Sequence, residues 1–273
     1  MLAAVLQIRA DTLQVLLWQR AQQPDLGLWA LPGGRLGATE DVQTSVLRQL
    51  ADKVDLREIA HIEQLGVFSA PDRVPGIRLV ATTFLGLVPC DADPAVPRDT
   101  RWHPVATLPE TAFDHAAVVR DGRDRLRAKL SYTNLGFALA PAEFSVSALR
   151  DIYVSALGHP VSATNLQRVL ARRGVLVPTG RTAPPGPAGG RPAALFRFAE
   201  RRLRVTDASA VLRPSHAADA AAGHPDTATV HPDTAAVQPD TAAGHPETAA
   251  GQPDTAPDGG RGSTGDQGHT VVT

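Results

Sequence analysis

Cysteine occurs once in the 273 residues, and lysine only twice, at Lys53 and Lys129. With Cys90 alone an intrachain disulfide is excluded, which fits a reducing compartment. The lone thiol has no base beside it in sequence and is not read as a nucleophile. No apolar run is long enough to cross a bilayer. The opening MLAAVLQIRAD has no basic stretch before its apolar residues and reads directly as a strand, so the expected location is the cytoplasm, away from membranes. Scarce lysine amid abundant alanine and arginine is the residue usage of a high-GC genome. It also means that almost every cation here is a guanidinium.

Charge balances overall, with 27 Lys+Arg against 28 Asp+Glu, but not locally. Ten arginines and two acids fall between Ser145 and Arg204, leaving 17 basic and 26 acidic residues elsewhere. Such a split points to a polyanionic partner for the middle of the chain.

Length favours two domains with something added. Over residues 1–130 strands and helices are mixed. AAVLQI and TLQVLLWQR are β-rich runs about a turn at Arg9–Asp11, and RLVATTFLGLVP is a later strand. Helical spacing marks Glu40–Val54 and HAAVVRDGRDRLRAKL. Over residues 131–204, Phe144, Val146, Leu149, Ile152, Tyr153 and Leu157 share a helical face that Gly158 ends. Ser162 caps ATNLQRVLARR, and VLVPT and ALFRF flank a Gly/Pro-rich loop. Two helices and a hairpin in that order make a winged helix-turn-helix. Over residues 205–273 a heptapeptide repeats (HPDTATV, HPDTAAV, QPDTAAG). Its prolines exclude a coiled coil and its lack of large apolar residues predicts disorder. The expected class is α+β: an N-terminal α/β/α sandwich, a C-terminal winged helix and a disordered repeat tail.

The stretch LPGGRLGATEDVQTSVLRQLADKVDL, residues 31–56, resembles the Nudix box. Gly34, Glu40 and Arg48 are in register with it. The box glutamates are replaced, because the positions at i, i+3 and i+4 on one helix face are Gln49, Asp52 and Lys53. Magnesium prefers hard anionic oxygens in octahedral geometry. A neutral amide, a short carboxylate and an ammonium are a poor set for it. An ammonium near a would-be divalent ion repels it by roughly 4 kcal/mol per unit charge at an effective dielectric of 20. The degenerate box positions Glu40, Arg48, Gln49, Asp52 and Lys53 are therefore expected to lack catalytic and metal-binding function. Asp55 stands where the box has a helix-ending glycine.

Further segments narrow the resemblance. HIEQLGVFSAPDRVPG (61–76), the Leu-Val-Pro of 87–89, Trp102-His-Pro-Val, the Leu-Pro pair at 108–109, Ala112-Phe-Asp-His, SYTNLGFALAPAEFSVSALRDIY and NLQRVLARRGVLVPTG through GGRPAALFRF look like the NrtR family, the Nudix-related transcriptional regulators. The likeness spans about residues 2–198. It implies a Nudix domain that senses ADP-ribose or a related nucleotide, fused to a winged helix in a homodimeric regulator, usually a repressor, of NAD-metabolism genes. No cofactor is required on this reading, and magnesium enters only if the box still hydrolyses.

On that basis the nucleotide contacts are expected from Gly33, Gly34, Arg48, Lys53 and Arg73, with Asp72 beside Arg73 in a loop between strands. Operator DNA contacts are expected from Asn165, Arg168, Arg172, Arg173, Arg181 and Arg191. Asparagine suits adenine and arginine suits guanine, while Arg172, Arg173, Arg181 and Arg191 are assigned to phosphates. His115 is expected to open a helix or to pack near the dimer surface. The rival reading is a working diphosphohydrolase, in which Glu40 and Asp52 are joined by Glu58 or Glu63 to rebuild a magnesium site.

Overall fold

The computed structural model describes residues 1–183 and 192–207, which lie in one compact unit, Met1–Ser215. The repeat tail expected over 205–273 lies outside the described residues beyond Asp207. Among the described residues no helix is long and apolar enough to cross a membrane.

Strands β1 (Leu2–Arg9) and β2 (Thr12–Gln19) form an antiparallel hairpin. Its two turn residues, Ala10 and Asp11, both have positive φ, 46° and 55°. That is the mirror-image turn whose twist matches paired strands, made here without glycine. The other strands are β3 (Trp29–Ala30), β4 (His61–Phe68), β5 (Ala81–Leu87) and β6 (Thr100–Pro104). The sheet order is β3-β2-β1-β5-β4, with β6 running antiparallel along β2 and β1 parallel to β5.

β1 is buried on both faces, and its alternation divides the core in two. Ala3 and Val5 pack with Val46, Leu50 and Val54 of helix α1 (Val42–Val54). Ala4, Leu6 and Ile8 pack with Val118, Val119 and Leu126 of helix α2 (His115–Tyr132). Sheet between helices is the sandwich expected from the sequence. Gly122 lets α2 close onto the sheet, since a Cβ there would stand 3.2 Å from that of Ala4.

The winged helix follows as β7 (Phe144–Ser145), α3 (Val146–Leu157), α4 (Ala163–Arg172), β8 (Leu176–Thr182) and β9 (Ala194–Phe198), with sheet order β7-β9-β8. Ser145 and Ser162 cap α3 and α4 by accepting from Ala148 N and Asn165 N, a contact worth about 1 kcal/mol each. Gly158 ends α3 at φ 76°. Phe144, placed by periodicity on the helix, instead belongs to β7, where its ring lies 5.3 Å from that of Phe198. Two residues of strand carry no period of their own.

The core layer under α2 continues without a break through Leu135, Phe137 and Leu139 into Leu149, Ile152, Leu166 and Phe198. Polar contacts reinforce that continuity. Ser155 Oγ donates to Asp11 O at 2.8 Å, and Arg127 Nε to Ala156 O at 3.2 Å at the end of α3. The two regions therefore share one hydrophobic interior.

Candidate functional site

The loop after β3 is fixed against the start of β1. Ala3 N donates to Pro32 O and Gly34 N to Met1 O. A Cβ on Gly33 would lie 2.1 Å from Met1 O, so only glycine permits this approach. Asp41 caps α1 by accepting from Thr44 N at 2.7 Å, and Asp55 ends it in the left-handed region, at φ 48°. Loop and helix are thus capped at both ends, with Asp55 taking the left-handed position at the helix end.

Within that frame Arg48 grips Glu40 through two hydrogen bonds, 2.9 Å to Oε2 and 2.6 Å to Oε1. Glu40 also accepts from Gly37 N at 2.6 Å. The Arg48 contact first, then that of Gly37, hold its carboxyl down at about 2. Gln49 donates to Arg35 O at 2.8 Å and Ser45 Oγ at 3.0 Å, while its own Oε1 is buried without a partner. Lys53 Nζ donates to Gly33 O at 2.6 Å and lies 5.8 Å from the centre of the Trp18 ring. The residue is exposed as a whole, yet desolvation at the ammonium, then the charges of Arg48 and Arg20, push its pKa down. Asp52 is exposed and 3.6 Å from Arg48.

These donors do not fit a divalent cation. One carboxylate is already bound by Arg48, another points to solvent beside the same arginine, and an ammonium sits on the loop carbonyl. Among the described residues no group of three or more His, Cys, Asp or Glu side chains is placed to hold a metal. The acids proposed to rebuild a site do not converge on it. Glu63 is engaged on the α2 side of the sheet by Lys129, His61 at 2.9 Å and Arg125 at 3.4 Å. Burial alone would raise the Glu63 pKa, but the His61 and Lys129 bonds outweigh it and bring the value to about 2. Glu58 is exposed in the loop after α1.

Arg73 departs from its expected role. Its side chain is 2% exposed and forms a two-pronged pair with Asp114, 2.9 and 2.7 Å, tethering the β4–β5 loop to the start of α2. It is a structural cation and not a free ligand contact; Asp72 beside it is exposed. His115 does open α2 but is buried, and its Nδ1 accepts from Leu31 N at 3.0 Å. Burial, the largest cause, lowers its pKa to about 4.

Three neighbours escaped the sequence reading. Phe113 is held at φ 53°, a conformation rare for an aromatic residue, and its N–H donates to Asp25 Oδ2 at 3.1 Å. Arg20 lies 4.8 Å from the centre of its ring and His115 5.6 Å. Arg20 thus sits over the residue that leads into α2, and its charge contributes, as a lesser cause, to the lowered pKa of both Lys53 and His115. Phe113 lies in the quoted Ala112-Phe-Asp-His segment, but nothing local pairs it with Arg20 or Asp25, about ninety positions away.

The second surface is α4. Leu166 and Leu170 face inward, and Thr164, Asn165, Gln167, Arg168 and Arg172 are exposed. Arg168 Nη2 donates to Asn165 Oδ1 at 2.9 Å, so the two expected base readers form one polar pair. Arg172 projects outward. Arg173, one residue on, turns back to Asp207 at 2.7 Å and Ser131 O at 2.9 Å, which removes it from the expected DNA set. Arg181 on β8 is exposed and 2.8 Å from Glu143. Arg191 lies outside the described residues.

Comparison with known proteins places two family models on the chain: NUDIX domain at residues 2–122 and NrtR DNA-binding winged helix domain at 136–198. The ADPR responsive transcriptional repressor NtrR of Acinetobacter baylyi is 29% identical over 203 residues, 72% of this chain and 80% of that protein. The crystal structure of Shewanella oneidensis NrtR complexed with a 27mer DNA is 30% identical, with TM-score 0.62, over 72% of this chain and 91% of that one. An ADP-ribose pyrophosphatase of Methanocaldococcus jannaschii is 30% identical over 114 residues, 40% of this chain and 64% of that protein.

Proposed function

This chain belongs to the NrtR family, a Nudix domain joined to a winged helix, and from that premise we propose that it is an ADP-ribose-responsive repressor of NAD-metabolism genes. The observation that carries this reading lies inside the box: loop and helix keep their geometry while the cation-binding face carries Gln49 and Lys53. A site so built can recognise a diphosphate without polarising it for attack by water. Gly33 and Gly34, expected to face the ligand, instead let the loop close on Met1, Gln49 and Lys53, while Lys53 contributes charge and Arg48 keeps Glu40 out of its way. Arg73 fixes the loop above.

On the DNA side, Asn165 and Arg168 read base edges and Arg172 and Arg181 hold phosphates. A homodimer presents two such helices to a two-fold operator. The effector favours whichever arrangement fits DNA less well, and the shared core beneath α2 and α3 carries the difference between the halves. The hydrolase reading retains only Glu40 and Asp52, with neither Glu58 nor Glu63 nearby to join them.

Gel retardation of a promoter fragment from the protein's own gene neighbourhood tests the proposal. Retardation should weaken steeply with salt, as counterion release requires. Absence of any shifted band at low salt would reject it.

A further inference from the structure

Resting on the reading of the box as a nucleotide-effector site, the question is what balances the ligand's charge where the helix holds no metal set. Lys53 is not an ordinary solvated lysine. Its ammonium is seated between the Gly33 carbonyl, 2.6 Å away, and the face of Trp18, although the residue as a whole is exposed. The buried, unpartnered Oε1 of Gln49 packs on the same glycine, since a Cβ built on Gly34 would stand 2.4 Å from that oxygen and 3.2 Å from Nζ. Glycine at 34 lets the Gln49 amide and the Lys53 ammonium close against the loop.

A second cation stands nearby. Arg20 donates to the carbonyls of Pro24 at 3.0 Å and Gln22 at 3.4 Å and lies over the ring of Phe113. Its hydrogen-bond partners are carbonyls and it faces a ring; among the described residues no salt bridge commits it to a carboxylate. Arg20 follows Trp18, the ring that Lys53 faces, by two residues at the end of β2, and its charge is among the causes, after burial and Arg48, that lower the Lys53 pKa. An anion placed between the two cations relieves their repulsion. Arg48 is unsuited to the task because two hydrogen bonds already commit its guanidinium to Glu40.

We propose that Lys53 and Arg20 together take the place of a divalent metal, so that this protein binds the diphosphate of its effector in the complete absence of metal ions. Phe113, clamped by Asp25 and faced by Arg20, forms the flat wall beside the charge pair. The ligand class is a nucleoside diphosphate carrying a further group, bound as a free anion and not as its magnesium complex.

Calorimetric titration of the full chain with ADP-ribose, in EDTA and then in excess magnesium, tests the proposal. Equal affinity in both is expected. Lys53→Met and Arg20→Met should each weaken binding about tenfold in EDTA, as loss of a charged hydrogen bond does, with Lys53→Arg retaining most of it. Circular dichroism confirms that each variant is folded. A requirement for magnesium, or unchanged affinity in both methionine variants, would overturn the proposal while leaving the effector reading intact. No binding under either condition would overturn both. Manganese titration followed by electron paramagnetic resonance gives a readout without nucleotide: the wild type should hold no ion and Lys53→Glu should acquire one. Stoichiometric manganese on the wild type would contradict the proposal.

Discussion

Helices α1 and α4 are both short, polar-faced and capped by a small oxygen-bearing residue, yet they spend their polar residues differently. In α1 the side chains of Ser45, Gln49 and Lys53 turn inward, onto the carbonyls of Arg35 and Gly33. In α4 only Leu166 and Leu170 are buried, and Asn165, Arg168 and Arg172 stand in solvent. The first helix closes a site within its own chain; the second offers a surface to something else. The contrast predicts that changes around α1 disturb folding and ligand together, while changes on α4 disturb only an external partner.

The largest expected effect falls at the tether above the box. Arg73→Met leaves the Asp114 carboxylate without its partner in a mostly buried place, and about 3 kcal/mol of stability should be lost, read as the shift in urea midpoint. A change within ~0.5 kcal/mol, as at an ordinary surface position, would mean that the pair is ornamental.

Acidification makes a comparable demand on His115. Its folded pKa, about 4, lies below the ordinary 6.5, so the unfolded chain takes up the proton first. The stability it contributes is fully present above pH 6.5 and is lost as pH falls toward 4, in all about 3 kcal/mol. Urea midpoints measured across that window should fall for the wild type. His115→Asn, which can still accept from Leu31 N–H, should flatten the slope; an unchanged slope would place the titration elsewhere.

On α4 the pattern reverses. The double variant Asn165→Ala/Arg168→Ala should reduce operator affinity about 100-fold, with melting temperature and ADP-ribose binding unchanged. Parallel loss of stability would erase the distinction between the helices. The smallest and most discriminating effect separates adjacent arginines. Arg172→Ala should lower the log–log salt slope of DNA binding by about 0.9, one phosphate contact, whereas Arg173→Ala should leave that slope alone and lower stability instead.

Regular elements were legible wherever a period ran long enough. The two hairpin strands, β5 and helices α1 to α4 follow the alternation and helical spacing of their apolar residues. β7 did not, because two residues cannot display a period and Phe144 fits a helical face equally well. The altered box was legible because metal chemistry demands acids at fixed helical spacings, and an ammonium among them is conspicuous. Arg20 and Phe113 were not, since their meeting depends on tertiary closure. Arg173 was misplaced for a geometric reason: one residue further round the helix turns a side chain by about 100°, enough to exchange solvent for Asp207.

Recognition of a nucleotide without cleavage, coupled to release of DNA, is most directly tested in one cuvette. Fluorescence anisotropy of a labelled promoter fragment bound to the full chain is followed while ADP-ribose is added in EDTA, with phosphorus NMR reporting the ligand. Anisotropy should fall to that of free DNA while the ADP-ribose remains intact. Undiminished anisotropy at saturating ligand, or AMP appearing as the DNA is released, would contradict it.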